Sequence, residues 1–142
     1  MDKSDIVYVA MSADILHSGH INIIETATAL GPVVIGLLTD DAIRSYKRQP
    51  IMNWEQRRKV ISYLKGVSIV IPQTTHDYVS NLETLRPAYV VHGSDWKSGI
   101  QSQVRQRVLE TLEKWGGELV EPEYTEGIST TQIIQKCKNE DL

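Results

Sequence analysis

The sequence predicts an α/β protein: a doubly wound, five-stranded parallel sheet built by residues 1–142 as one domain. Three observations predict it. Apolar runs and helix-period segments alternate along the whole chain. Several of the runs, "IVYVAM" and "VVIGLLT" among them, are apolar on both faces, as strands buried between two helical layers must be. The 142 residues are enough for a real core, and no repeat, low-complexity segment or linker divides them.

Taken in order, residues 6–11 read as the first strand. Ile21, Ile24, Ala27 and Leu30 then recur at helical spacing, with His20 at the helix start and Gly31-Pro32 ending it. Residues 33–39 are the second strand, and "DDAIRSYK" is a short helix opened by acids. Asn53 and Gln56 form a capping box for a helix that runs through Val60, Ile61 and Leu64 to Gly66. The third strand is 67–72, and a weak helix over 77–86 stops before Pro87. Strand four is 88–93. Val104, Val108, Leu112 and Trp115 define a long amphipathic helix closed by Gly116-Gly117. Strand five spans 118–124 and contains Pro122, which assigns it to a sheet edge. A last helix runs from about Ser129 to Lys138.

Composition narrows the function. The formal charge of −3 argues against broad nucleic-acid binding, and no apolar stretch approaches the ~20 residues of a membrane span. The N-terminal Met-Asp-Lys-Ser-Asp leads into only a short apolar run, which predicts no secretory leader. A lone cysteine, Cys137, excludes an internal disulfide and fits a reducing, cytoplasmic setting. The basic residues are not spread evenly. Six of the 15 Lys and Arg fall within residues 44–59 (Arg44, Lys47, Arg48, Arg57, Arg58, Lys59), against one acid, Glu55. Such a window is either a solvated helix face or a local site for a small polyanion.

The stretch "SADILHSGHINII" carries the chemistry, because it sets His17 and His20 where strand one gives way to a helix. A helix N-terminus favours an anion and disfavours added positive charge, so these imidazoles should be neutral donors to phosphate oxygens. Gly19 between them would let backbone and ligand approach closely. Helix capping is a second reading. Metal ligation is a third and weaker one, since His-x-x-His gives two ligands and zinc takes three or four; His76, His92 and Asp14 would have to be recruited.

Other strand ends face the same rim, because open parallel sheets bind ligands beyond their carboxyl ends at the switch point. "HGSDW" places His92, Gly93, Asp95 and Trp96 after strand four. "TEGISTT" (125–131) follows strand five and opens the last helix. Ser129 and Gln132 can cap that helix, while Ser129, Thr130 and Thr131 also offer hydroxyls and amides to a phosphate.

"HSGH", "GSDW" and "TEGISTT", in this order, resemble the nucleotidyltransferase superfamily in its cytidylyltransferase branch, over residues 7–137. The resemblance implies a Rossmann-like nucleotidyltransferase fold and transfer of CMP from CTP to a small phosphorylated or phosphonylated acceptor, with release of pyrophosphate. It implies that His17, His20, Lys47 and Arg48 act on the phosphates. Ser12, Ala13, Asp14, Gly19, His92, Gly93, Asp95 and Trp96 would line the nucleotide site. Tyr124, Thr125, Gly127, Ile128, Ser129, Thr130 and Thr131 would hold the triphosphate tail and base. Mg²⁺ would ride mainly on the nucleotide, with Asp14 the nearest carboxylate.

Two positions depart from the family pattern: Met11-Ser12-Ala13-Asp14 replaces Gly-Thr-Phe-Asp, and Tyr124 stands where an arginine is usual. Among acceptors, the segments "MSADILHSGH", "GLLTDDAIRSYKR" and "YVVHGSDWK" resemble cytidylyltransferase domains found with phosphonate-making mutases. That favours a phosphonate such as 2-aminoethylphosphonate over glycerol 3-phosphate. Lys47 and Arg57 would hold its anion, and His76 and Asp77 would line its organic group, Asp77 pairing with the ammonium or else capping the following helix. An adenylyltransferase and a non-catalytic nucleotide sensor remain the rival readings. The family resemblance, with Trp54, Tyr63 and Trp115 as surplus aromatics, implies a homodimer.

Overall fold

The computed structural model describes residues 2–99, 101–123 and 125–139. Five strands, β1 (Val7–Met11), β2 (Val33–Leu38), β3 (Val67–Gln73), β4 (Tyr89–Val91) and β5 (Glu118–Val120), form one all-parallel sheet in the order β3-β2-β1-β4-β5. The register pairs Val7 with Val33 on one side and with Tyr89 on the other. The chain winds outward from β1 to β3, then returns to β4 on the other side. The switch point therefore lies between β1 and β4, the two strands followed by the predicted histidines.

Among the described residues, six α-helices connect and cover the sheet: α1 (Ser18–Thr28), α2 (Asp40–Arg44), α3 (Trp54–Ser62), α4 (Val79–Leu85), α5 (Ser102–Glu113) and α6 (Thr130–Asn139). Alternate residues of the central strands feed two apolar layers. Val7, Val9 and Met11 pack with Ile24, Ala27 and Ile61 on one face. Tyr8 and Val90 pack with Leu82, Val108 and Leu112 on the other. β1 and β2 are buried on both faces, which is why they read as continuous apolar runs.

One polar network crosses the second layer. The buried Tyr8 hydroxyl donates to Gln73 at 2.6 Å and accepts from Asn81 at 2.9 Å. Its oxygen passes so close to β2 that a Cβ at Gly36 would sit 1.8 Å from it, so only glycine fits there.

Two expectations shift in detail. α1 begins at Ser18, with His17 as its N-cap, so His20 is the third helical residue rather than the first. β5 does lie at the sheet edge, but it ends at Val120; Pro122 is past the strand, where its carbonyl accepts the N–H of Ser94. Trp115 and Trp54 turn out to be core or half-buried residues, leaving Tyr63 as the exposed aromatic of the three.

Candidate active site

A pocket opens over the carboxyl ends of β1 and β4. It is walled by the loop after β1, the start of α1, the loop after α2, the loop after β3, the turn Ser94–Trp96 and the entry to α6. All the predicted site residues that are described line it, apart from Arg57, Asp77 and Gly127. Tyr124 lies outside the described residues.

The two histidines are held by the helix they begin. The N–H of Gly19 donates to His17 Nδ1 at 3.1 Å, and the N–H of His17 donates to His20 Nδ1 at 3.2 Å. This is a capping box made from imidazoles. A ring nitrogen that accepts carries no proton, so both neutral rings carry theirs on Nε2. The rings lie 4.0 Å apart in the pocket wall. Capping and phosphate binding are thus not rivals: one nitrogen of each ring caps, and the other is left as a donor.

Both rings are neutral at pH 7. Loss of solvent, then His17 and Lys47, bring His20 down to about 4; loss of solvent and Lys47 lower His17 as well. Gly19 has a reason not foreseen in the sequence. A Cβ there would meet His17 Cε1 at 2.8 Å, so the glycine makes room for the capping ring.

Lys47 and Arg48 come from the predicted basic window. The Lys47 ammonium is pushed below the ordinary lysine range, first by desolvation and then by Arg48, against the pull of Asp14 and Asp95. Arg48 reaches across to α6, its Nη1 donating to Thr131 Oγ1 at 3.2 Å, while its Nε is buried without a partner among the described residues. A buried guanidinium N–H beside a helix N-terminus suits an anion.

The α6 entry is built as the sequence suggested. Ser129 Oγ accepts from the N–H of Gln132 at 3.0 Å. Thr130 is less available than expected, because its hydroxyl is turned to the carbonyl of Ile15 at 2.8 Å. Gly127 has φ +80° and makes the turn that precedes Ile128 without lining the pocket itself.

Three expectations need correction. Arg57 is 0% exposed and does not line the pocket. Its Nε donates to Met52 O, Nη1 to Ser12 O and Leu38 O, and Nη2 to Asp40 at 2.6 Å. It ties the ends of β1 and β2 to α2 and α3, and has no face for a substrate. Asp14, 1% exposed, has both carboxylate oxygens engaged by the N–H groups of Ile51 and Met52. It anchors the loop that follows Lys47 and Arg48 rather than reaching for an ion. Asp77 faces away from the pocket: Arg107 Nη2 donates to it at 2.6 Å and the N–H of Val79 at 3.2 Å. Burial works to raise its pKa, but these bonds hold it below the ordinary carboxylate range.

Sequence reasoning also missed a wall of rings. Tyr46 stacks on His76 with centroids 3.9 Å apart and planes at 7°; His92 stacks on Trp96 at 3.6 Å and 7°. Tyr78, 5.6 Å from Trp96, completes it. Tyr46 and Tyr78 each sit next to a residue singled out for charge, and that adjacency was their only sequence signal. Ala13, at the end of β1, has φ +52°, a left-handed conformation unusual for alanine and typical of strained functional loops. Among the described residues, no three His, Cys, Asp or Glu converge to hold a metal.

Against known proteins, residues 11–136 match the family model described as cytidylyltransferase-like. The chain belongs to the cytidylyltransferase-like family. This cytidylyltransferase-like chain is 34% identical, over 85% of its length, to ethanolamine-phosphate cytidylyltransferase of Mus musculus, of which it spans 30%. It is 30% identical, over 92% of its length, to the bifunctional protein HldE of Geobacter sulfurreducens, of which it spans 26%. It therefore spans between a quarter and a third of these relatives. In structure it resembles a lipopolysaccharide core biosynthesis protein of Thermoplasma volcanium, with a TM-score of 0.71 and 23% identity over 84% of this chain and 98% of that one. That likeness supports the fold.

Proposed function

We propose that this chain is a nucleotidyltransferase that moves CMP from CTP to a small phosphonate or phosphate monoester, releasing pyrophosphate. The observation that carries the reading is the imidazole capping box, which leaves two neutral rings with Nε2–H donors on one pocket wall.

An oxygen of the acceptor's phosphonate or phosphate group attacks the α-phosphorus of CTP. A new P–O bond forms as the bond from the α-phosphorus to the bridging oxygen of the β-phosphate breaks, and pyrophosphate carries away the electron pair. The attacking oxygen is already ionised near pH 7, so no side chain has to take a proton. His17 and His20 donate from Nε2 to the oxygens on which charge builds up, and Lys47 and Arg48 neutralise the phosphates. Because the rings are uncharged, these donors enter the helix N-terminus without opposing its dipole.

Mg²⁺ is proposed as the ion that travels with the triphosphate and screens its charge. The donor set fits an ion carried by the nucleotide. Asp14 is engaged by backbone N–H groups, and exposed Asp95 is the pocket carboxylate left to meet a hydrated ion.

The preference for a phosphonate such as 2-aminoethylphosphonate over glycerol 3-phosphate rests on the sequence resemblance alone, now that Asp77 is paired with Arg107 outside the pocket. The chain is proposed to act as a single cytoplasmic domain and as a homodimer. Tyr63 (85% exposed), Val60 and Ile69 offer apolar surface on α3 and β3 for that contact.

The test is pyrophosphate release with CTP or ATP against a panel of phosphonates and phosphate monoesters. CTP-dependent release with formation of a CMP-linked product is expected. Faster turnover with ATP would make the enzyme an adenylyltransferase, and tight CTP binding without turnover would make it a sensor.

A further inference from the structure

His92 is the pocket group that the reaction above leaves unused. Its Nδ1 lies 2.8 Å from the carbonyl oxygen of Gly93. A carbonyl only accepts, so Nδ1 carries the proton and the neutral ring keeps its lone pair on Nε2. This is the opposite arrangement to His17 and His20, whose Nδ1 atoms accept. Burial lowers the His92 pKa, which keeps that lone pair free. His92 lines the pocket, and its Nε2 has no hydrogen-bond partner among the described residues.

The ring is also fixed in place. It stacks on Trp96, whose Nε1 donates to Glu121 at 2.7 Å, and Glu121 is gripped by Arg105 Nε at 2.8 Å and Nη2 at 2.9 Å. A preset acceptor of this kind gains nothing from phosphate oxygens, which are themselves acceptors. It needs an N–H or an O–H. His92 shares its wall with Tyr46, His76 and Tyr78, whereas the phosphate donors His17 and His20 come from α1.

We propose that His92 Nε2 determines acceptor specificity, accepting a hydrogen bond from a hydroxyl or amine on the organic group of the small phosphonate or phosphate monoester. The inference rests on the cytidylyl-transfer reading above. It also moves His92 from the nucleotide, where the sequence assigned it, to the acceptor. An acceptor ending in bare hydrocarbon leaves Nε2 unpaired and is disfavoured on the order of 10–100-fold.

The experiment compares kcat/KM for 2-hydroxyethylphosphonate, 2-aminoethylphosphonate and propylphosphonate at saturating CTP and Mg²⁺, in the wild type, His92→Phe and His92→Gln. Calorimetric CTP binding is measured alongside. His92→Phe keeps a ring on Trp96 and removes Nε2; His92→Gln supplies a carbonyl oxygen in its place. The wild type should prefer one or both donor-bearing acceptors by about tenfold or more. The arm that shows the preference says whether the partner is a hydroxyl or an amine. His92→Phe should abolish that preference while the Kd for CTP stays within about twofold, and His92→Gln should restore part of it. Weakened CTP binding in His92→Phe with the acceptor ratio intact would overturn the inference and leave cytidylyl transfer standing. So would a wild type that is indifferent to the donor. A wild type that binds CTP and turns over none of the three, nor any of a panel of phosphate monoesters, would overturn the catalytic reading itself.

Discussion

His17 and His20 are joined by a bond that spends one ring nitrogen of His20 on the start of α1. The N–H of His17 donates to Nδ1 of His20 at 3.2 Å, and the His17 ring accepts the N–H of Gly19 in turn. Nδ1 of each ring caps the helix and Nε2 is left for the proposed phosphate contact, so substitutions can separate the two roles. Asparagine is a good N-cap but does not reach as far as Nε2. His17→Asn should therefore keep stability within about 0.5 kcal/mol, while turnover falls on the order of 10²–10³. His17→Ala should lose the same rate and about 1 kcal/mol of stability besides. Thermal melts and pyrophosphate release on the two variants check the separation. Turnover within a few-fold of wild type in both would remove His17 from the site.

Burial of His20, helped by the nearby His17 and Lys47, sets a pH dependence. His20 stands near 4 in the folded protein and near 6.5 when unfolded, so between these values the unfolded chain binds more protons. Stability should then fall as pH drops from about 6.5 to about 4, and His20 should contribute no slope above 7. His20→Gln removes the titrating group. Its stability curve should be flatter than that of wild type across this window, as read from urea midpoints at half-unit steps of pH. Parallel curves would show that His20 is not the group responsible.

Buried Arg57 yields a prediction of stability where the sequence suggested one of affinity. Its guanidinium serves three carbonyls and Asp40 at once. Removing it leaves a carboxylate and buried carbonyls unpaired, so Arg57→Ala should cost about 3–5 kcal/mol. A substrate-binding arginine would instead raise the acceptor KM with little change in the denaturation midpoint.

Half-buried Asp77, paired near the surface, should behave in the contrary way. Its pair with Arg107 lies at the surface, with side chains 41% and 57% exposed. Asp77→Asn should change stability by less than about 1 kcal/mol and leave acceptor kcat/KM within about twofold. A selective loss of amine-bearing acceptors would return Asp77 to the site.

These contrasts show what was legible beforehand. Element order was readable because doubly buried strands and amphipathic helices differ in period, and each is bounded by Gly, Pro or a cap. Strand order was not, since pairing β1 with both β2 and β4 depends on contacts between residues far apart in sequence. The residues of the His-x-Gly-His stretch do line the pocket, and Gly19 also makes room for the His17 ring, which its sequence does not display. Arg57 and Asp77 were misassigned for one reason: a sequence displays charge but not burial or partner. Tyr46 and Tyr78 were missed because a single aromatic in a loop carries no periodic signal.

Arg48 offers the sharpest test of the phosphate site, because stability and function should respond differently there. Its Nη1 is bound to Thr131, but Nε is buried with no partner among the described residues, which costs stability. Methionine keeps much of the stem and removes both the charge and the orphaned N–H. Arg48→Met should therefore be about as stable as wild type, within about 1 kcal/mol, since the loss of one exposed bond to Thr131 is offset by relief of the unpaired donor. The triphosphate, by contrast, should lose a charge-assisted bond of about 1.5–3 kcal/mol, so KM for CTP should rise on the order of 10–100-fold. Melting temperature and CTP saturation curves measured on one preparation decide it. A large fall in melting temperature with KM unchanged would make Arg48 a structural tie between the basic loop and α6, and the phosphate site would have to be built without it.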